Sequence, residues 1–107
     1  MREFKRSPTH PGEIIKIHYL EPLHMSISAL AKRLDVSRKT VSKIVNGHGA
    51  VIPDMALRLS KAFGTTPELW INLQRNYDLW HACRDHRSWR HIRAIPHLHE
   101  FNHVAAA

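Results

Sequence analysis

The chain has 107 residues, with 16 Lys+Arg against 9 Asp+Glu, a formal charge of +7 when its ten histidines are counted neutral. That length fits one small domain and excludes a two-domain nucleotide-binding enzyme or an eight-stranded barrel. Apolar residues make up 43%, enough core to exclude wholesale disorder, and the basic excess favours a polyanionic partner, nucleic acid first.

Residues 1–10 are polar and basic and read as a loose N-terminal arm. They lack the apolar run of a secretory signal, and no apolar run in the chain is long enough for a transmembrane helix. Cys83, the single cysteine, cannot form an internal disulfide. That suits a reducing compartment, so a cytoplasmic protein is expected.

The first helix is predicted from Pro11, a residue suited to a first turn. Ile14, Ile15, His18, Tyr19 and Leu23 follow at helical spacing, and Pro22 should end or kink the helix near Glu21. Ser26 or Ser28 caps the second helix, whose buried face is Ile27, Leu30, Ala31 and Leu34. Ser37 caps the third, with Val41, Ile44 and Val45 as its apolar stripe and Asn46-Gly47 as its stop. Pro53 opens the fourth, with Asp54 favoured by the helix dipole in its first turn. Met55, Ala56, Leu59, Ala62 and Phe63 are its expected inner face, and Gly64 ends it. Thr66-Pro67-Glu68 starts a fifth helix carrying Leu69, Trp70, Leu73, Tyr77 and Trp80. No strand pattern appears. The expectation is an all-α domain of five helices over residues 11–83. Residues 84–107 form a basic tail with four arginines, five histidines and two acids, flexible or partly helical.

The main functional signal runs from Ile27 to Gly47. Two short helices flank Asp35-Val36-Ser37, and Ala31 is small where the second helix would cross closest to the first. Val36, Val41 and Ile44 sit where a helix-turn-helix needs apolar locks. Asp35 takes the turn position most often held by glycine, and Asp tolerates a left-handed backbone. Once the apolar stripe is buried, the third helix exposes Arg38, Lys39, Thr40, Ser42, Lys43 and Asn46. Such a helix fits the major groove with its N-terminal residues at the base edges. Arg and Lys can donate to guanine, Thr can meet a thymine methyl, and Ser37 at the helix start suits a phosphate. The competing reading, two small helices with a solvated basic face, is disfavoured by the turn spacing, the locks and the acid-free outer face.

These motifs together resemble a known family. "HPGEII" from His10, the helix-turn-helix, "DMALRL" from Asp54, "AFGTTPELWINLQ" from Ala62 and "YDLW" from Tyr77 occur in this order. The chain resembles the HigA (VapI-type) antidote proteins of the Xre/Cro-like superfamily from about His10 to Trp80. The resemblance implies a five-helix, lambda-repressor-like domain that forms a homodimer. It also implies a dual role in a type II toxin–antitoxin system: binding a HigB-like, RelE-related mRNA-cleaving toxin and repressing the shared promoter. Ser37, Arg38, Lys39, Thr40, Ser42, Lys43 and Asn46 then become the operator-contacting set. The tail lies outside the resemblance.

A domain this small covers few base pairs, so tight specific binding argues for two half-sites and a dimer. The fifth helix is the expected dimer surface, through Leu73, Tyr77 and Trp80, since aromatics are enriched at interfaces. The alternative is that its whole apolar stripe fills the monomer core, for which Trp70 and Leu73 are the better candidates. Arg58 is read as structural, with Glu13 or Asp78 as the expected carboxylate partner.

Catalysis and metal chemistry are weighed and set aside. His99-Glu100-Phe101-Asn102-His103 matches the zinc-protease pattern H-E-x-x-H, but no third ligand follows and so small a chain hardly supplies a substrate cleft. Clustered imidazoles at His97, His99 and His103 could bind zinc or nickel adventitiously, yet no metal site or cofactor is expected. No His–Asn constellation surrounds Cys83, so a partly buried helical cysteine is expected there. The glycines are caps and turns, not a phosphate loop. The chain therefore reads as a non-enzyme with no small-molecule substrate and no membrane partner. Two alternatives to the antitoxin stay open. One is a stand-alone or phage-derived regulator without a toxin; the other is a toxin-binding plug that has lost DNA binding.

Overall fold

A computed structural model describes residues 6–96. Among them lie five α-helices and no strand. Helix α1 (Pro11–Ile15) continues as a single π-helical turn, Lys16–Leu20. The Glu21 N–H donates to the Lys16 carbonyl at 3.0 Å, and Pro22 ends the helix because it has no N–H to offer. Leu23, expected on the inner face, lies beyond that end and is 59% exposed.

Ser26, rather than Ser28, caps α2 (Ile27–Leu34) by accepting from the Ala29 N–H at 3.0 Å. Asp35 turns the chain at φ 56° and ψ 48°, in the left-handed region expected of it. Ser37 caps α3 (Arg38–Val45) by accepting from the Thr40 N–H at 3.1 Å. Helix α4 (Pro53–Phe63) ends in left-handed Gly64. Helix α5 (Pro67–Asp85) is capped by Thr66, starts on Pro67 with Glu68 in its first turn, and runs two residues past Cys83. A 3-10 turn, Ser88–His91, follows.

The core lies between α1, the α2–α3 pair, α4 and the first half of α5. Ile15, Leu30, Leu59 and Trp70 are sealed from solvent within it. Each buried side chain of this size contributes roughly 1.5–3 kcal/mol by leaving water. Trp70 satisfies its indole by donating to Thr65 Oγ1 at 2.7 Å. Tyr19 and Phe63 stack beside it, ring centroids 3.8 Å apart. Two expected core positions are instead exposed: Ala62 on α4 and Leu69 on α5.

Three polar devices tie the layers together. Gln74, apolar by neither composition nor pattern, is buried. It accepts from the Val51 N–H at 2.8 Å and donates to Asp78 at 2.9 Å, which fixes the loop between α3 and α4 onto α5. Arg58 pairs with neither Glu13 nor Asp78. Its Nε donates to Asp54, one turn back on α4, at 2.8 Å. Its Nη1 donates to the carbonyls of Leu34 and Asp35 at 2.7 and 3.2 Å. A guanidinium can do this because its donors are rigidly forked, so one side chain serves an acid and two orphan carbonyls at the end of α2. The third device is His10, which composition placed in the loose arm and the fold buries.

Candidate nucleic-acid interface

The expected recognition element is α3, a helix held at both ends. At its start, Ser37 Oγ lies 2.8 Å from Thr40 Oγ1 as well as accepting from the Thr40 N–H. This cap stabilises the first turn by about 1 kcal/mol relative to alanine. At its end, Asn46 Nδ2 donates to Ser42 Oγ at 3.2 Å. Left-handed Gly47, at φ 79°, then turns the chain so that the His48 and Gly49 N–H groups both donate to the Lys43 carbonyl at 2.8 and 2.9 Å.

Behind this end sits the start of α1. The Gly12 N–H donates to His10 Nδ1 at 2.9 Å, which leaves Nδ1 unprotonated. The proton is then on Nε2, which donates to the Gly49 carbonyl at 3.1 Å. Tyr77 closes the pocket with its ring at 86° to the imidazole, centroids 4.8 Å apart. Burial holds the His10 pKa below its ordinary 6.5; the Gly49 bond and the charges of Asp78 and Glu13 oppose that effect, and His48 reinforces it. Gly12 itself has no room for a Cβ, because that position meets the Ile44 backbone.

Val41, Ile44 and Val45 are buried, and the predicted contact set faces away from them. Ser37, Arg38, Lys39, Thr40, Lys43 and Asn46 are exposed, and Ser42 is half-buried. The set is therefore one polar, acid-free face of α3 and its caps. Arg38 is the member tied to another helix: its Nε donates to Ser28 Oγ on α2 at 3.0 Å. Ser28 was absent from the sequence-derived set. Nothing in its local pattern marks it, because its partner lies ten residues away across the crossing of α2 and α3. The basic excess of this segment is also split. Arg33 lines a groove with Asp54, Leu57, Arg58 and Lys61, shared with α4.

On α5, Leu73 is half-buried against the core. Tyr77 is half-buried between His10 and His81, with centroids 4.8 and 4.3 Å away. Trp80 is half-buried, with the Arg84 guanidinium 4.6 Å from its ring centre. Cys83 is buried and free. Among the described residues no helix is long and apolar enough to cross a membrane, and no group of three His, Cys, Asp or Glu could hold a metal. The H-E-x-x-H pattern at His99–His103 and His97 lie outside the described residues.

The helix-turn-helix family model matches residues 18–70. An uncharacterised HTH-type transcriptional regulator of Haemophilus influenzae is 45% identical over 98 residues, spanning 89% of this chain and 92% of its own length. Antitoxin HigA-1 of Vibrio cholerae is 44% identical over 80 residues, 75% of each chain. The solved structure of antitoxin GraA in complex with its operator superposes with a TM-score of 0.78 at 37% identity, covering 89% of this chain and 98% of that one.

The chain belongs to the HigA-type helix-turn-helix family.

The family model covers the α2–α3 pair and α4, while the His10–Gly12 clamp and the Gln74 tether are features of this chain that lie outside the matched segment.

Proposed function

We propose that this chain is a dimeric, cytoplasmic antitoxin that binds operator DNA, represses its own operon and neutralises a HigB/RelE-like mRNA-cleaving toxin. The observation that carries the DNA-binding part is the α3 surface: seven polar or basic side chains, no acid, on a helix clamped at both ends. The likeness to an antitoxin solved in complex with its operator supports DNA binding, and a helix presented in this way fits the major groove. In this reading Arg38, Lys39, Thr40 and Ser42 address base edges, Ser37, Lys39, Lys43 and the N-terminal arm address the phosphate backbone, and Asn46 serves a base or a phosphate. The antitoxin part is supported by the identity to antitoxin HigA-1. A homodimer matches two half-sites one helical turn apart, with Leu73, Tyr77 and Trp80 on α5 as the proposed contact.

The test is a titration of the purified chain against its own upstream promoter and against random DNA, with co-expression of the neighbouring gene product. Sequence-specific binding as a dimer, together with co-purification of a small basic toxin, is expected. Specific binding without a toxin partner would make it a stand-alone regulator. Toxin binding with no operator binding at low salt would make it a plug.

A further inference from the structure

Ser28 is the second residue of α2 and takes no part in its cap, because Ser26 supplies that bond. Its hydroxyl is exposed and accepts from Arg38 Nε at 3.0 Å. Arg38 is the first residue of α3 and is also exposed. The other side-chain bonds on this face, Ser37 to Thr40 and Asn46 to Ser42, stay within α3 and its caps. The Arg38 bond crosses to a second helix whose position is fixed by the buried Leu30, Ala31 and Leu34.

A free arginine on a helix surface samples many rotamers, and ordering it on binding costs affinity. The guanidinium also has two edges that can grip the O6 and N7 of guanine: the end formed by its two Nη groups, and the side formed by Nε with one Nη. The Ser28 bond occupies Nε. It therefore removes the side edge and leaves the end edge open, with four N–H donors remaining. It also fixes where that edge sits relative to α3. Having accepted, the Ser28 hydroxyl keeps its own proton to donate.

We infer that Ser28 is a positioning residue for base readout, holding the Arg38 guanidinium so that its terminal fork addresses a guanine. This rests on the base-reading role proposed for Arg38 and names what sets its aim. Ser28 itself need not touch a base. Its contribution is to discrimination between sequences, whereas an independent phosphate contact would strengthen binding to all DNA alike.

The experiment measures affinity by fluorescence anisotropy, with duplexes of the chain's own promoter in which each G·C pair of a half-site is changed in turn, and with random DNA. The proteins are the parent, Ser28→Ala, Ser28→Thr, Arg38→Ala and the double Ala variant, each checked for unchanged helical content. Arg38→Ala is expected to lose preference at one or two base pairs. Ser28→Ala is expected to lose about three- to tenfold of the preference at those same pairs, as loss of one ordered side chain implies. Its affinity for random DNA and its salt slope stay unchanged. Ser28→Thr, which keeps the acceptor, restores the preference, and the double variant loses no more than Arg38→Ala.

An unchanged preference in Ser28→Ala, with Arg38→Ala defective, overturns the inference and leaves the functional reading intact. Equal weakening on promoter and random DNA by Ser28→Ala also overturns it, in favour of a phosphate contact. Full preference in Arg38→Ala overturns both the inference and the base-reading role. Absence of specific binding by the parent overturns the functional reading and the inference with it.

Discussion

Replacing Gly12 by alanine drives a Cβ into the backbone of the recognition helix. The new atom would overlap the Ile44 carbonyl oxygen, while lying 2.7 Å from the Ile44 carbonyl carbon and 3.0 Å from Val45 Cα. All three neighbours are main chain, so no rotamer change relieves the overlap. Helix α1 must instead move off α3, opening the core that Ile15 shares with Ile44 and Val45. Overpacking of this kind typically costs about 1–3 kcal/mol, and more where backbone must shift. The usual preference for Ala over Gly inside a helix returns about 1 kcal/mol, and with the cost at the upper end, about 3 kcal/mol because only main chain can move, the net loss is about 2 kcal/mol. For a domain near 100 residues that lowers Tm by about 8–16 °C. Thermal unfolding followed by circular dichroism, at one fixed protein concentration because dimerisation shifts Tm, measures it. The His10–Gly49 clamp loosens with the same movement, so operator affinity should fall with stability. A Gly12→Ala protein melting within about 2 °C of the parent would refute the close approach of α1 to α3.

Three further outcomes follow from the same geometry. Because burial holds His10 below 6.5, the unfolded chain takes up a proton that the folded chain resists, so stability should fall as pH drops from about 6.5. His10→Asn keeps an acceptor for the Gly12 N–H and cannot titrate; urea unfolding at pH 7.5 and 5.5 should show a smaller pH loss than the parent, and parallel losses would dismiss the role of His10. Arg58→Met keeps the aliphatic stem and removes every donor, leaving the Leu34 carbonyl unmet; a loss of about 1–2 kcal/mol in denaturant unfolding is expected, discounted for partial exposure, and a neutral result would show that the Leu34 and Asp35 bonds contribute nothing. Lys43→Ala should lower affinity for promoter and random DNA alike and reduce the slope of log K against log salt by about one, and an unchanged slope would remove Lys43 from the phosphate contacts.

How much of this was legible in the sequence depends on how far apart the partners stand. The helix-turn-helix was readable residue by residue. Ser37 as a cap, Asp35 as the left-handed turn and Val41, Ile44 and Val45 as the buried stripe are all decided within a few positions, by capping chemistry, backbone sterics and helical periodicity. The acid-free outer face followed from the same periodicity. The tail illustrates the opposite case: its arginines and histidines are countable, but that Arg84 and Asp85 finish α5 and Ser88–His91 forms a short turn was not legible in them.

What only the tertiary structure decided are the bonds between elements distant in the chain. Arg58 has acids in three places it might have met, and its partner was settled by the register of α4 against the end of α2, with Asp54 one turn away. Leu69 and Ala62 fit their helical stripes and still face solvent, because the core closes around Trp70 and Leu59 and leaves no layer to cover them. Gln74 breaks the apolar pattern of α5 and is buried because the loop at Val51 presents an N–H that needs an acceptor there. Ser28 looks like a spare cap until α3 crosses α2 and brings Arg38 to it. The +7 charge and the recognition helix belong to the sequence, since composition and local periodicity fix them. The placement of that helix belongs to the fold, since it is set by the close approach of Gly12 to Ile44 and by the His10–Gly49 bond, contacts between segments distant in the chain.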